Sequence, residues 1–306
     1  MTAALVFAGY AAAAGFLAPA ALRQRWVARS PRLAMSLWLA LSASCIAAAT
    51  LAVLAAAVPL LLSWPGHGPR GGNGSPPGPP VPGGTAVAAA GLLLAAAVVL
   101  RTSACLIGEL ARDRRRQREH AAFVVAQGRL DHALGAVILD HDAPLAYSLP
   151  CGRHSIVVSG GTIAALEPGQ LQAVLDHERA HLRGRHHLVL AIACALARAF
   201  PRVPLLARAG PELAVLAEMA ADDSAARRHG RGTLAEALVI LDRAGVRAGA
   251  LNAGGTAAAA RIHRLLAPQS RSARTAGLAA AVGLIPPAAI ACIPLLIAAC
   301  AIASRQ

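Results

Sequence analysis

The sequence predicts a mainly α-helical membrane protein with four transmembrane helices and one further domain that holds a small β-sheet. Hydrophobic residues make up 56% of the 306 positions and charged residues only 14%, and the mean hydropathy is +0.54. These values exceed what soluble domains carry. Four apolar runs are long enough to cross a bilayer. The stretch between the third and fourth runs mixes charged and apolar positions and contains a short β-branched segment, which indicates a folded domain with a strand.

The apolar runs justify the four predicted transmembrane helices. They cover residues 3–22, 33–64, 86–107 and 276–303. The first run lacks a positively charged leader segment, so we predict a retained membrane helix and not a cleaved signal. Segment 65–85 is rich in Gly and Pro without a periodic apolar pattern, which is typical of a flexible external loop.

The runs divide the chain into three parts. Residues 1–107 hold three transmembrane helices and the loop, residues 108–275 form the polar domain, and residues 276–306 hold the fourth transmembrane helix and a short tail. Arginine is far more frequent after the first and third runs than in the loop. Because basic residues favour the cytoplasmic side, the sequence predicts a multi-pass plasma-membrane protein with its amino terminus outside and residues 108–275 in the cytoplasm.

The charge pattern bears on the partners of the chain. The net charge of +14 rests on arginine alone, since the chain has no lysine. The arginines cluster beside apolar runs and not among stacking aromatic residues, so we expect contact with the lipid bilayer and no direct binding of nucleic acid. The six cysteines form no CxxC pair, which argues against a thiolate metal site or a redox motif. Nothing in the sequence specifies an oligomeric state.

Local patterns in the polar domain place a strand before a helix. Residues 154–159 are largely β-branched and bounded by glycines, which indicates a strand. Pro168 suits the first turn of a helix with an apolar stripe. The apolar segment 187–206 is interrupted by Arg198 and Pro201 and is too short to cross a bilayer, so we expect a buried or interfacial helix there.

The helix after the predicted strand carries the most informative motif, His177-Glu178-Arg179-Ala180-His181. Histidines four residues apart project from one helix face and can bind the same metal ion. Glu178 lies beside the first histidine, where it can take a proton from an attacking water and pass it to a leaving amine. The HExxH spacing therefore predicts a hydrolytic zinc site with one ion per chain.

A hydrolytic zinc site needs a third protein ligand, and an acidic helix some forty residues downstream offers candidates. Glu218 is the best candidate, and Asp222, one turn further, could hydrogen-bond the free nitrogen of a metal-binding histidine. Glu212 and Asp223 are alternative ligands. A different interpretation makes all these acids a solvated helix face that pairs with the arginines at the end of the same helix.

Two further histidines, His186 and His187, follow the HExxH motif. We expect both on the helix surface or at the membrane interface and not among the metal ligands. The reason is that HExxH sites take their third ligand from a more distant part of the chain.

The segments HERAH and EMAAD resemble the HExxH and ExxxD motifs of integral-membrane gluzincins, the zinc peptidase families M48 and M56. The M56 branch, which includes the beta-lactamase and methicillin-resistance sensor-transducers, is the closer match. The resemblance implies three transmembrane helices, a cytoplasmic gluzincin-like zinc metallopeptidase domain and a fourth transmembrane helix. It also implies that His177, His181 and Glu218 are the zinc ligands and that Glu178 is the general base. Asp222 would hydrogen-bond a zinc-binding histidine without contacting the metal.

The resemblance further implies hydrolysis of peptide bonds in a cytoplasmic or membrane-associated protein, and family analogy suggests a transcriptional repressor. It also suggests that strand 154–159 binds an extended substrate by strand addition. The sensor-transducers continue into an external penicillin-binding domain whereas this sequence ends at Gln306, so we expect no beta-lactam sensing by that route. Two alternatives stay open: an M48-like quality-control protease for membrane proteins, and an inactive membrane scaffold or signalling protein.

Overall fold

The computed structural model describes residues 2–23, 27–62, 83–150, 156–243 and 256–267. Over these residues the chain is mostly helical with one small mixed sheet, which confirms the predicted fold class. The predicted fourth transmembrane helix, 276–303, and nearly all of the predicted external loop, 65–85, lie outside the described residues.

Three helices in the described part are long and apolar enough to cross a membrane, by length and composition. They are α1 (Thr2–Ala21), α2 (Pro31–Leu62) and α3 (Gly84–Gln127). Large apolar side chains on them are exposed, including Leu93 at 72% and Leu100 at 68%. Such a surface is costly in water and suits a hydrocarbon environment, in agreement with the first three predicted transmembrane helices.

Helix α3 continues well beyond the apolar run that predicted it. It has 44 residues and passes through the arginine-rich stretch without a break. Exposed ion pairs support this extension, since Arg112 contacts Glu109 and Arg115 contacts Glu119, each at 2.7 Å. The predicted domain boundary after residue 107 therefore falls inside a continuous helix, which leads directly into the sheet.

The sheet has four short strands. They are β1 (Gly128–Asp131), β2 (Ala136–Leu139), β3 (Ala146–Ser148) and β4 (Ile156–Ser159). The order is β1-β2-β4-β3, with β2 and β4 parallel and the other pairs antiparallel. The predicted strand at 154–159 is confirmed from Ile156 onward, and residues 151–155 lie outside the described part.

The position of β4 corrects one prediction about substrate binding. All four residues of β4 are buried, and the strand pairs with β2 on one side and β3 on the other. A strand paired on both sides has no free backbone edge, so the prediction that this segment accepts an added strand is wrong for its described residues, 156–159. Of the two strands at the sheet edges, β3 is the one that packs against the helix carrying the HExxH motif.

Seven further helices complete the described fold. They are α4 (Gly160–Ala165), α5 (Pro168–Arg183), α6 (His186–Ala199), α7 (Pro204–Ala207), α8 (Ala209–His229), α9 (Arg231–Arg243) and α10 (Thr256–Leu266). Helix α5 begins at Pro168 as predicted, and the Glu167 backbone N–H donates to Gln170 Oε1 at 3.1 Å. Helix α6 has 14 residues, which confirms a helix too short to span a membrane.

Two hydrophobic cores position the helices that matter for function. One core packs the sheet against α5 and α9, with Leu175 fully buried at its centre. The other core joins the long apolar helices α1 and α2 to α6, α7 and α8. Within this second core the Trp38 indole N–H donates to the Leu205 carbonyl at 3.1 Å. Helix α8 therefore packs directly on the long apolar helix α2 and shares a hydrophobic core with it.

Two glycines in the first turns of neighbouring helices give a matched test of this fold. A β-carbon on Gly161 would overlap the Asp142 backbone, whereas one on Gly169 would meet open space. We expect Gly161→Ala to lower the free energy of unfolding by about 1–3 kcal/mol. Gly169→Ala should raise it by up to about 1 kcal/mol, because alanine favours helix. Thermal unfolding measures both changes, and equal stability of the two variants would contradict the close packing at Gly161.

Candidate metal centre

Helices α5 and α8 pack side by side and bring three predicted ligands to one point. His177 Nε2 and His181 Nε2 lie 3.1 Å apart. The carboxylate of Glu218 lies 3.5 Å from His177 Nε2 through one oxygen and 3.4 Å from His181 Nε2 through the other. One ligand atom from each of the three residues lies within 4.8 Å of the other two. Two turns of one helix and one turn of another thus present two nitrogens and an oxygen to a common centre.

The chemistry of this donor set fits a zinc ion. Imidazole nitrogens and a carboxylate oxygen are ligands that zinc takes in hydrolytic sites. Burial lowers the pKa of His177, but the carboxylates of Asp222 and Glu218 outweigh burial and raise it to about 10. Burial and the neighbouring charge of His177 lower the pKa of His181 to about 3. The carboxylates thus favour positive charge on His177, whereas the His181 ring stays neutral.

Glu178 is buried beside the two histidines, on the side of α5 that faces β3. Its carboxyl group lies near the side chain of Ser148, the last residue of β3, which favours the charged form and opposes part of the rise in the pKa of Glu178 that burial causes. Burial raises the pKa of Glu178 to about 7, and the nearby charge of His177 offsets only part of this effect. A carboxylate with a pKa near neutrality can both accept and return a proton, which is the property of a general base.

Asp222 lies where the sequence predicted, one turn after Glu218 and fully buried. Its Oδ1 is 3.1 Å from His177 Nδ1, the ring nitrogen opposite the one that faces the ligand cluster. A carboxylate at this position favours the tautomer with a proton on Nδ1, which leaves Nε2 free for a metal. Burial raises the pKa of Asp222, but contacts with Arg261 and His177 outweigh burial and hold this pKa well below its usual range, so Asp222 stays charged.

The two alternative third ligands, Glu212 and Asp223, form ion pairs with arginines and not with the histidines. Glu212 pairs with Arg23 at 2.8 Å, and Asp223 pairs with Arg264 at 2.8 Å. Neither belongs to the group of converging ligand atoms found among the described residues. Two observations argue against a solvated face, since Asp222 is fully buried and Arg228 contacts Asp176 of α5.

His186 is a buried residue whose position the sequence interpretation got wrong. It was expected on a helix surface, but it is only 4% exposed, and its Nδ1 lies 2.9 Å from His181 Nδ1. Helix α5 ends at Gly184, where a β-carbon would overlap the His186 ring, and Arg185 adopts a left-handed conformation with φ 48°. This turn folds His186 back over the end of α5. Gly184, directly after the motif, is the sequence feature that marks the break.

His186 and His187 form a matched pair for a zinc-affinity test. His186 Nδ1 can accept the Nδ1–H of His181, which orients the His181 ring with Nε2 toward the metal. His187 is partly buried and has no such contact with the ligands among the described residues. We expect His186→Ala to weaken zinc binding by roughly 10- to 100-fold and His187→Ala to leave it close to wild type. Competition with a chromophoric chelator measures both affinities, and equal losses would rule out this role for His186.

A second unforeseen residue is Arg261 of α10, to which the sequence interpretation gave no role at the site. Its guanidinium contacts the Glu218 carboxylate at 2.8 Å and the Asp222 carboxylate at 2.6 Å. No local spacing connects it with the HExxH helix, because 39 residues separate it from Asp222. Only the packing of α10 brings it to the site.

Comparison with known families supports the chemistry of the site. Residues 110–210 match the sequence model of Peptidase family M48. The match covers 101 of the 306 residues and includes the HExxH helix, but it ends before Glu218, Asp222 and Arg261. The expected relation to M48 metallopeptidases is thereby confirmed for this segment, whereas the expected M56 assignment stays a prediction. No curated protein and no solved structure matches the chain.

Proposed function

We propose that the chain is an integral-membrane zinc metalloendopeptidase. The observation that carries the proposal is the convergence of His177, His181 and Glu218 beside a buried Glu178 whose pKa lies near 7. The match of residues 110–210 to M48 peptidases supports the same chemistry. An inactive scaffold would have no chemical use for a buried carboxylate in this place.

Each residue of the site has a role in peptide hydrolysis. His177, His181 and Glu218 would hold the ion, and bound zinc would supply a Lewis acid that polarises the scissile carbonyl and acidifies the attacking water. Glu178 takes the proton from that water and then passes it to the nitrogen of the leaving amine. Asp222 and His186 orient the two histidine rings.

The edge of β3 that pairs with no other strand in the described part of the chain is our candidate for binding the substrate backbone. β3 packs against α5, and Ser148 at its end reaches Glu178. An extended peptide that pairs with β3 would pass beside the ligand cluster, and its main chain would supply the hydrogen bonds. Such recognition depends little on side chains, which suits an endopeptidase that cuts unfolded or extended segments.

We propose that the substrate is a cytoplasmic or membrane-associated protein. Two observations favour membrane-protein quality control or processing over cleavage of a repressor. One is the match to family M48, and the other is the packing of α8 on α2, which holds Glu218 close to a long apolar helix. The repressor hypothesis requires the same site, so profiling of cleaved proteins separates the two.

We further propose the plasma membrane as the location, with the amino terminus outside and the metal centre in the cytoplasm. The support is the distribution of arginine around the apolar runs. In intact cells a membrane-impermeant thiol reagent should label a Ser75→Cys variant above the wild-type background and leave a Glu167→Cys variant at that background. The reverse labelling pattern would show that the amino terminus lies in the cytoplasm and the metal centre lies outside.

The test of the enzymatic proposal uses the full chain purified in detergent. We expect about one zinc per chain and cleavage of an unfolded protein substrate, loss of cleavage on chelation, and recovery after one equivalent of zinc is returned. Cleaved fragments from membrane and cytoplasmic extracts then identify the substrate class. Zinc-free protein, or cleavage that resists chelation, would refute a zinc peptidase.

A further inference from the structure

Helix α10 is docked so that its arginines face the acidic face of α8. Leu265 is 1% exposed and packs in a core with Ala226 and Leu234 of the preceding helices. The Arg231 guanidinium donates to the Leu265 carbonyl at 3.2 Å, which fixes the end of α10. These contacts determine where the side chains of α10 enter the metal centre.

Arg261 connects the two acids of the site through separate nitrogens. Its Nε and Nη2 donate to the two oxygens of Asp222 at 2.9 and 2.6 Å, as a bidentate pair. Its Nη1 lies 2.8 Å from Glu218 Oε2. The Arg261 side chain is only 13% exposed and that of Asp222 is fully buried, so water screens these contacts weakly.

The contact with Glu218 affects how that carboxylate can bind a metal. Both oxygens of Glu218 lie near a histidine, Oε2 at 3.5 Å from His177 Nε2 and Oε1 at 3.4 Å from His181 Nε2, but Oε2 alone also contacts the Arg261 guanidinium, at 2.8 Å. A carboxylate with one oxygen held by a cation offers the other oxygen to the ion. Coordination through one oxygen leaves a fourth position open, as a hydrolytic zinc site requires.

The charges of the site also need Arg261. Glu178, Glu218 and Asp222 carry three negative charges when ionised, and a zinc ion supplies only two positive charges. Arg261 supplies the remaining one, which makes the buried group neutral as a whole. Without it, two carboxylates one turn apart on α8 would repel each other, and Asp222 would lose its fixed orientation toward His177.

We propose that Arg261 is a positioning residue of the metal centre, which restricts Glu218 to coordination through one oxygen and fixes Asp222 against His177. The inference rests on the proposed function, because it assumes that these residues hold zinc. It assigns a role at the metal centre to α10, which lies beyond the segment that matches family M48.

The experiment compares the full chain with Arg261→Ala, Arg261→Lys and Arg264→Ala. Arg264 lies on the same helix and contacts Asp223, away from the ligand cluster, so its variant controls for the docking of α10. Zinc affinity is measured by chelator competition, and the visible absorption of cobalt bound in place of zinc reports coordination number. Retention of helical circular dichroism confirms that each variant folds.

We expect Arg261→Ala to weaken zinc binding by roughly 10- to 100-fold and to change the cobalt spectrum toward higher coordination. Arg264→Ala should match wild type in both measurements. Arg261→Lys should recover part of the affinity but keep the altered spectrum, because an ammonium group lacks the planar fork that reaches both carboxylates.

Three results would overturn the proposal. Equal losses in Arg261→Ala and Arg264→Ala would mean that Arg261 only docks the helix. An unchanged cobalt spectrum in Arg261→Ala would remove the role in restricting Glu218, and full recovery by lysine would show that charge alone matters. Failure of the wild type to bind zinc would instead defeat the proposed function and this inference with it, so the two failures are distinguishable.

Discussion

Replacing Glu178 by glutamine is expected to lower the rate of peptide hydrolysis on the order of 10³-fold while zinc stays bound. Glutamine has nearly the same shape as glutamate but cannot accept a proton. Glu178 is not one of the three converging ligands, so its loss leaves the donor set intact. The measurement pairs zinc content with cleavage rate for the purified variant.

Glu167→Gln is the matched control for this variant. Glu167 is exposed at the start of the same helix and has no contact with the ligand cluster among the described residues. Its replacement should leave both zinc content and cleavage at the wild-type level. Wild-type cleavage by Glu178→Gln would remove Glu178 from the mechanism.

The same side chain should determine the pH dependence of the enzyme. Burial raises the pKa of Glu178 to about 7, and the charge of bound zinc would lower it. Only the deprotonated carboxylate accepts a proton, so kcat/KM should fall as the pH drops through this pKa, with a midpoint at or below pH 7. The residual activity of Glu178→Gln should lack this acid limb. An acid limb shared by both proteins would belong to another group.

Replacing Glu218 by alanine is expected to weaken zinc binding by more than about 100-fold and to abolish cleavage at ordinary zinc concentrations. Loss of a group that only orients a ligand costs about 10- to 100-fold in affinity, so loss of a ligand itself should cost more. The substitution also leaves the Arg261 guanidinium without one of its two carboxylate partners. Chelator competition gives the affinity directly.

Glu212 provides the control on the same helix. It pairs with Arg23 at 2.8 Å, partly exposed and away from the histidines. Glu212→Ala should bind zinc as wild type does, since an exposed ion pair contributes little to stability. If Glu212→Ala loses zinc and Glu218→Ala retains it, the third ligand is Glu212 and the assignment is wrong.

The parts of the site that could be predicted from sequence depend on helical spacing within one element. Two histidines four apart and the Glu218–Asp222 pair share helix faces wherever the helix lies, so their juxtaposition needs only a correct helix assignment. The long apolar helices were predictable for a similar reason, since the bilayer fixes their length and composition. Predicting these features requires no knowledge of how the helices pack against one another.

The features that were missed depend on how elements meet. His186 was placed on a helix surface or at the membrane interface because HExxH sites take their third ligand from a more distant part of the chain, but the turn at Gly184 and Arg185 brings its ring against His181. Arg261 reaches Asp222 only through the docking of α10. The pairing of β4 on both sides follows from strand order, which alternation of residue types does not encode. In each case the deciding contact joins residues from different elements.

The packing of α8 on the membrane helices has a consequence for any attempt to isolate the metal centre. The face of α8 opposite the site carries Leu213, Leu216 and Ala220, all buried against α1, α2 and their neighbours. A polypeptide of residues 108–275 alone would expose this apolar face to water, and it would lack the contacts that fix the rotation of α8 about its own axis. The long apolar helices therefore hold α8, and with it Glu218, in the orientation that the metal site requires. A water-soluble fragment should bind zinc poorly even though it contains every ligand.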